Sequence, residues 1–351
     1  MEKLKLNETP IRTSKSFLIN NIELENIEIP KNINEFETIE ITKTNSKISE
    51  EVSKPNLVYG LGNIMESNVI KNANHKVKIT IEPNKEVENI EIKYNFDDEN
   101  TNLINYIEVE ANSDANIAIK YESETEKKCF HNGILKLKAG KDIKVNITIV
   151  NLLNNISNNF EAIENDLEDE SNVQYTIIDL GAQNSISNYY SNITGNGAKN
   201  DLKTIYLGTG NQIKDINYIA EMRGKKANID IDVQGVLNEN AKKHFKGTID
   251  FKKGCKKATG NENEYCMLLS DNAKSIALPM LLCTEEDVEG NHSTASGKVQ
   301  ESELFYIMSR GIDYKSAVKL MVRANFNKIL TRISDENLKN QILNEIDKRL
   351  D

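Results

Sequence analysis

Tryptophan is absent from this chain, aromatic residues of all kinds make up 6 %, and only five prolines occur in 351 residues. Basic runs are missing too: nothing exceeds Lys252–Lys253 or Lys256–Lys257, and the formal net charge is −10. Such a surface has nothing with which to neutralise phosphates, which weighs against nucleic acid as a partner. No stretch approaches the roughly 20 apolar residues needed to cross a bilayer, so no membrane partner is expected. The opening MEKLKLNETPIRTSK lacks the apolar core of a signal peptide, so the expectation is a soluble, cytoplasmic protein.

Cysteine is sparse and scattered. Cys129, Cys255, Cys266 and Cys283 form no CxxC pair, which fits neither a disulfide scaffold nor a structural zinc knuckle. All four are expected to be free thiols. No GxSxG elbow, HExxH pair or dinucleotide fingerprint is present. Gly290 to Lys298, GNHSTASGK, superficially resembles a phosphate loop, but six residues separate its glycines where four are required. Val299 also replaces the hydroxyl that would hold magnesium. The chain is therefore expected to bind no nucleotide, and any ATP use must come from a partner.

What is present is alternation. From about Asn74 to Pro279, apolar residues recur two apart: Val77, Ile79 and Ile81; Ile117, Ile119 and Tyr121; Val145, Ile147 and Ile149; Ile229, Ile231 and Val233. That period marks half-buried strands. Polar breaks such as Asn112–Ser113–Asp114 and Gly195–Asn196–Gly197 separate them. An all-β core follows, and a sandwich, a barrel or a solenoid each satisfies it. Recurring strand–turn units without tryptophan lean toward a solenoid, although no strict repeat period is visible.

The first 60 residues are ambiguous, because Pro10, Pro30 and Pro55 interrupt any long element. After Val299 helical spacing takes over. Glu301 to Arg310 predicts a short helix with Leu304, Phe305, Ile307 and Met308 inward, stopped by Gly311. Asp313 fits the N-cap of a second helix carrying Ala317, Val318, Leu320, Met321, Val322, Ala324 and Phe326. Ser334 or Asp335 can cap a third, with Leu338, Ile342, Ile346 and Leu350 along one face. A small helical bundle is expected at this end.

Carboxylates, an imidazole and a thiol gather at Cys283, Thr284, Glu285, Glu286, Asp287 and His292. Such donors can hold a borderline metal such as Fe(II); the plainer alternative is a charged turn closing a strand. Cys266 lies in an apolar strand, where cysteine is usually an inert core residue. Cys129 and His131 would share a strand face, a placement that chance explains. Cys255 lies in a cationic turn with no recognisable base and reads as a surface thiol.

Four ordered blocks give the chain a resemblance: HFKGTIDFKKG at 244–254, LLSDNAKSIALP at 268–279, EEDVEGNHSTASGKV at 285–299 and ELFYIMSRGI at 303–312. Together they resemble the C-terminal half of the SufB/SufD family, the paired scaffold subunits of the SUF iron–sulfur cluster assembly machinery. TPIRTSKSFLI at 9–19 is similar to the family's N-terminal region but weakly so.

The resemblance implies a right-handed parallel β-helix (solenoid) core with a C-terminal helical bundle, divided as an N-terminal region 1–60, a β-helix 61–298 and a helical domain 299–351. It implies a non-catalytic scaffold that pairs with a SufB-like paralogue, or with itself as a homodimer. A SufC-type ABC ATPase would dock on Leu304, Phe305, Tyr306, Arg310 and Gly311. A transient iron–sulfur cluster would form at the dimer interface, with His292, Cys283, Cys266 and Glu264 as candidate ligands and Glu285, Glu286 and Asp287 as secondary acids. His292 matches the SufD interface histidine. The SufB sulfur-accepting cysteine falls on Glu264, and Ser293 stands where SufB carries an acid, so the chain is closer to SufD. Cys266, two residues on, would share Glu264's strand face. The competing reading is a β-solenoid polysaccharide-active enzyme or adhesin module, which the low aromatic content and the lack of an export signal weaken.

Overall fold

The computed structural model describes residues 3–13, 19–31, 33–84 and 86–351. Residues 14–18 of the TPIRTSKSFLI block lie outside the described residues. With strands numbered in chain order, one nine-stranded sheet comprises β3 (Ile39–Lys43), β6 (Glu88–Phe96), β8 (Ala115–Ser123), β10 (Lys144–Leu152), β12 (Asn172–Asp179), β14 (Lys199–Gly208), β16 (Asn228–Leu237), β18 (Ala258–Leu268) and β20 (Val288–Lys298). The other interleaves with it: β4 (Lys47–Ser49), β5 (His75–Ile81), β7 (Asn102–Ala111), β9 (Phe130–Ala139), β11 (Asn158–Leu167), β13 (Asn184–Ile193), β15 (Ile213–Met222), β17 (Lys242–Phe251) and β19 (Lys274–Cys283). Only β3 and β4 pair antiparallel within these sheets, among the described residues. The chain thus alternates between two parallel sheets and winds a β-solenoid of about 8 turns, as the alternation and the resemblance led one to expect.

Each turn places a new strand in register on the one two elements earlier, and the step varies. Asn159 meets Ser185 after 26 residues, while Asn228 meets Thr259 after 31. Turns of unequal length absorb the difference, so the stacking is regular while the sequence period is not.

Alternate side chains from both sheets fill the interior. Ile79, Ile107, Val145, Ile147, Ile229 and Val233 are buried there beside a series of aromatic rings. Tyr94 and Tyr121 stack 5.2 Å apart, and Tyr189 meets Tyr175 and Tyr218 edge-on at 5.1 and 5.7 Å. Their hydroxyls are hydrogen-bonded inside, Tyr175 to Asn165 at 2.6 Å and Tyr189 to Asn200 at 2.9 Å, which removes the cost of burying them bare.

Both outer faces are covered in part. Leu6, Ile22 and Leu24 of the antiparallel pair β1 (Lys3–Leu6) and β2 (Ile22–Glu25), with Met65 and Val69 of α1 (Asn63–Asn72), pack on Ile104, Phe130, Ile134 and Phe160 of the odd-numbered sheet. At the other end of the chain come α2 (Glu301–Ser309), α3 (Tyr314–Leu330) and α4 (Glu336–Arg349). Val318, Val322, Phe326, Ile342 and Ile346 of the last two lie against Val150, Ile178, Ile205 and Val236 of the even-numbered sheet.

The expected caps form. Asp313 accepts from the Ser316 amide at 3.1 Å, Asp335 from the Asn337 amide at 2.8 Å, and Gly311 ends α2 at φ +88°. The expected inward faces are right for α4 but need correction elsewhere. Phe305 is 74 % exposed, Met308 is also exposed, and only Leu304 and Ile307 of α2 are half-buried. Leu320 of α3 also faces out, at 48 %. The reason is position: α3 and α4 lie across the broad sheet, whereas α2 follows its last strand and finds support along a single stripe.

Candidate functional site

The solenoid ends on β19 and β20, and the last two strands of the even-numbered sheet carry three of the four candidate ligands, Glu264, Cys266 and His292. On β18 the inward row is Ala258, Gly260, Glu262, Glu264 and Cys266, all buried. In-register parallel strands keep the same facing, and Val288 of β20 packs against the interior core. The inward row of β20 is therefore Val288, Gly290, His292, Thr294 and Ser296. His292 is the register partner of Glu262, Thr294 of Glu264, and Ser296 of Cys266. His292 is exposed because no further strand stacks on it.

Beneath that row lies a buried polar cluster. The Lys243 ammonium contacts the Glu264 carboxylate at 2.7 Å, with side-chain exposures of 0 % and 1 %. The Tyr206 hydroxyl donates to the same carboxylate at 3.2 Å, and Lys243 also donates to the Ile276 carbonyl at 3.3 Å. Burial pushes the Cys266 thiol pKa up, while the Lys243 charge and hydrogen bonds with Tyr206 and Ser275 pull it partly back. Cys266 is thus a core cysteine, yet one placed against a cation and two hydroxyls. Glu262 differs from its neighbour: it is fully buried and neither carboxylate oxygen has a hydrogen-bond partner. Burial first, and the Glu264 charge second, raise its pKa to about 8.

Two glycines make room for this cluster. A Cβ on Gly235 would lie 1.8 Å from the Tyr206 ring, and one on Gly247 would lie 2.2 Å from a Glu262 oxygen. Gly235→Ala is accordingly expected to displace Tyr206 from Glu264 and cost about 1–3 kcal/mol, measured by urea unfolding. An unchanged midpoint would show that the ring is free to move.

The other candidates are placed apart. Cys283 ends β19 opposite Phe251, is exposed, and donates its thiol to the Glu285 carbonyl at 2.8 Å. Glu285 accepts from the Gly254 amide at 2.8 Å, a bond that lowers its carboxyl pKa. It thereby ties its turn to the turn of the preceding rung. Glu286 and Asp287 are exposed around it. Cys255 corrects the expectation of a surface thiol: its turn folds the sulfur inward, where it is fully buried, and burial pushes its pKa up. His131 is held between Asn159 at 2.6 Å and Asn105 at 3.0 Å, so its nearness to Cys129 is incidental. Among the described residues, no three His, Cys, Asp or Glu side chains converge as a metal site.

At the helical end, Phe305 and Tyr306 stand exposed with Met308, Ile312, Tyr314 and Leu320. The Arg310 guanidinium lies over the Tyr306 ring at 5.1 Å and donates to its hydroxyl at 3.1 Å. Lys243, Tyr206 and Glu262 were missed at the sequence level. A signal existed for two of them, since Lys243 shares the inward period of Phe245, Ile249 and Phe251, and Glu262 that of Ala258 and Cys266.

Comparison with known proteins gives one consistent result. The family model described as "SUF system FeS cluster assembly, SufBD core domain" matches residues 70–325. The chain is 27 % identical over 181 residues to the iron–sulfur cluster assembly protein SufD of Bacillus subtilis, covering 52 % of this chain and 41 % of that protein. It is 26 % identical over 115 residues to SufD of Escherichia coli, covering 33 % and 27 %. A SufBD family protein of Pyrococcus horikoshii is 37 % identical over 81 residues, covering 23 % and 18 %. The match thus spans less than half the length of these relatives. No helix among the described residues is long and apolar enough to cross a membrane.

Proposed function

We propose, for a chain that belongs to the SufBD family of the SUF iron–sulfur cluster assembly system, that it is a SufD-like scaffold subunit working in the cytoplasm. It pairs through the end of its solenoid with a SufB-like subunit or a second copy, and a SufC-type ATPase docks on α2. The observation that carries this reading is the inward row of β18 and β20: buried Glu262 lies under His292, which is exposed for want of a further rung, and buried Glu264 and Cys266 follow along the same row under Thr294 and Ser296. A second subunit covering that end would complete a donor set that the described residues leave short of three ligands.

The nascent cluster is cargo here. His292 would offer a nitrogen donor from the end strand, and Cys283 a thiolate from the far end of β19, both suited to iron. Cys266 and Glu264 lie one layer deeper, where Lys243 compensates negative charge. Burial between two subunits would keep water and oxidants away. The absence of disulfides among the described cysteines suits a reducing compartment.

The ATPase reading rests on α2. A helix that shows Phe305 and Tyr306 to solvent, flanked by Met308, Ile312 and Tyr314, has the apolar anchors that protein interfaces use. The paired variant Phe305→Ser with Tyr306→Ser is expected to lose ATPase co-purification at least tenfold and to shift the thermal midpoint little. Retained ATPase would move the docking surface elsewhere. The reading as a whole is tested by anaerobic co-expression with candidate ATPase and paralogue subunits, followed by mass measurement of the intact complex. The proposal expects both partners in one assembly, and a chain that emerges alone contradicts it.

A further inference from the structure

Glu262 is unlike the other charged side chains of the interior. Glu264 has Lys243 and Tyr206, Asp179 has Lys214 at 2.9 Å, and Asp215 on the outer face of its sheet has Lys246 at 2.6 Å. Glu262 is as deeply buried, but both of its oxygens are unpartnered. Nor is its place accidental. The carboxylate lies over Gly247, in a space that any side chain at that position would fill. Pro279, the register partner of Gly247, and His292, the register partner of Glu262, stand on the two strands that close the solenoid.

A buried carboxylate without a hydrogen bond is costly unless something occupies it. Its neighbours on the inward row are an imidazole above and a carboxylate already neutralised by lysine beside it. In the metal-free chain a proton can answer that cost; a cation that displaces the proton must tolerate one oxygen and one nitrogen donor, which describes a divalent metal of the Fe(II) type better than Ca²⁺ or Mg²⁺.

We propose that Glu262 is a metal ligand, forming with His292 a two-donor half-site at the open end of the solenoid that takes up ferrous iron as cargo. This deepens the assembly reading, on which it rests. Water fills the remaining positions until the second subunit and sulfide supply further donors. Gly247 belongs to the site as the space in which the carboxylate turns.

The test is anaerobic titration of Co(II), a spectroscopic stand-in for Fe(II), into the full chain and into the co-purified complex. Wild-type protein is expected to develop a visible d–d absorption at one equivalent. Glu262→Gln and His292→Ala are each expected to weaken uptake at least tenfold while keeping the thermal transition; should Glu262→Gln lose that transition, Glu262→Met supplies the same comparison. No uptake by either wild-type preparation, or equal affinity in Glu262→Gln and wild type, overturns the proposal. Normal uptake by a chain that never associates with an ATPase or paralogue overturns the assembly reading and leaves the half-site standing.

Discussion

Lys243→Met is expected to destabilise the protein by about 3–5 kcal/mol, because it strands the Glu264 carboxylate in the interior with only the Tyr206 hydroxyl as a neutral partner. The size of the effect follows from where the pair lies. Exposed ion pairs are worth at most about 1 kcal/mol, but these two side chains are 0 % and 1 % exposed, so solvent does not screen the abandoned charge. The double variant Lys243→Met with Glu264→Leu removes both charges, and a volume-matched apolar pair at such sites is often neutral. Recovery of most of the lost stability in the double variant, by urea unfolding at pH 7, is the expected result. A single variant that costs under about 1 kcal/mol would mean that water reaches the pair.

Glu262→Gln is expected to act in the opposite direction and only above mildly acidic pH. Burial raises the folded-state pKa of Glu262 from 4.5 to about 8, so between those values the folded chain holds a proton that the unfolded chain has released. Stability then falls as pH rises through that window, is unaffected below it, and reaches its full penalty above pH 8. A displacement of that size corresponds to a few kcal/mol, at about 1.4 kcal/mol per factor of ten in the equilibrium constant. Glutamine keeps the shape without the ionisation. The metal-free variant should match wild type at pH 4.5 and exceed it by several degrees in thermal midpoint at pH 8.5, about 2–4 °C for each kcal/mol in a chain of this size. Parallel profiles for the two proteins would show that the carboxylate is solvated.

Much of the solenoid was legible in local sequence. The two-residue alternation at Val77–Ile81, Ile117–Tyr121 and Val145–Ile149 marks strands that the structure buries on one side. What it does not encode is which strand stacks on which. The step from turn to turn runs from 26 residues, Asn159 to Ser185, to 32, Lys242 to Lys274, so no fixed period could reveal it, and the resemblance to a known family chose the solenoid among three architectures.

The helical end shows the same division. Asp313, Asp335 and Gly311 act through bonds within their own turns, and those features were readable. Whether Phe305 faces in or out depends on what lies beside α2, which is the end of β18 at Tyr265 and Leu269 and the following α3 rather than anything in its own turn.

At the site, His292 and Cys283 stood out by residue type and by resemblance. Lys243 and Glu262 did not, because a charge on an apolar period looks like a break in the pattern. Stacking turns it into a partner: Lys243 and Glu264 are 21 residues apart and meet across the interior.

The most direct test of the scaffold reading is the iron and acid-labile sulfide content of the anaerobically purified complex, compared between wild type and His292→Ala. The account predicts that His292→Ala retains its fold and its ATPase partner while iron and sulfide fall to background. Unchanged iron and sulfide in the variant complex would contradict it.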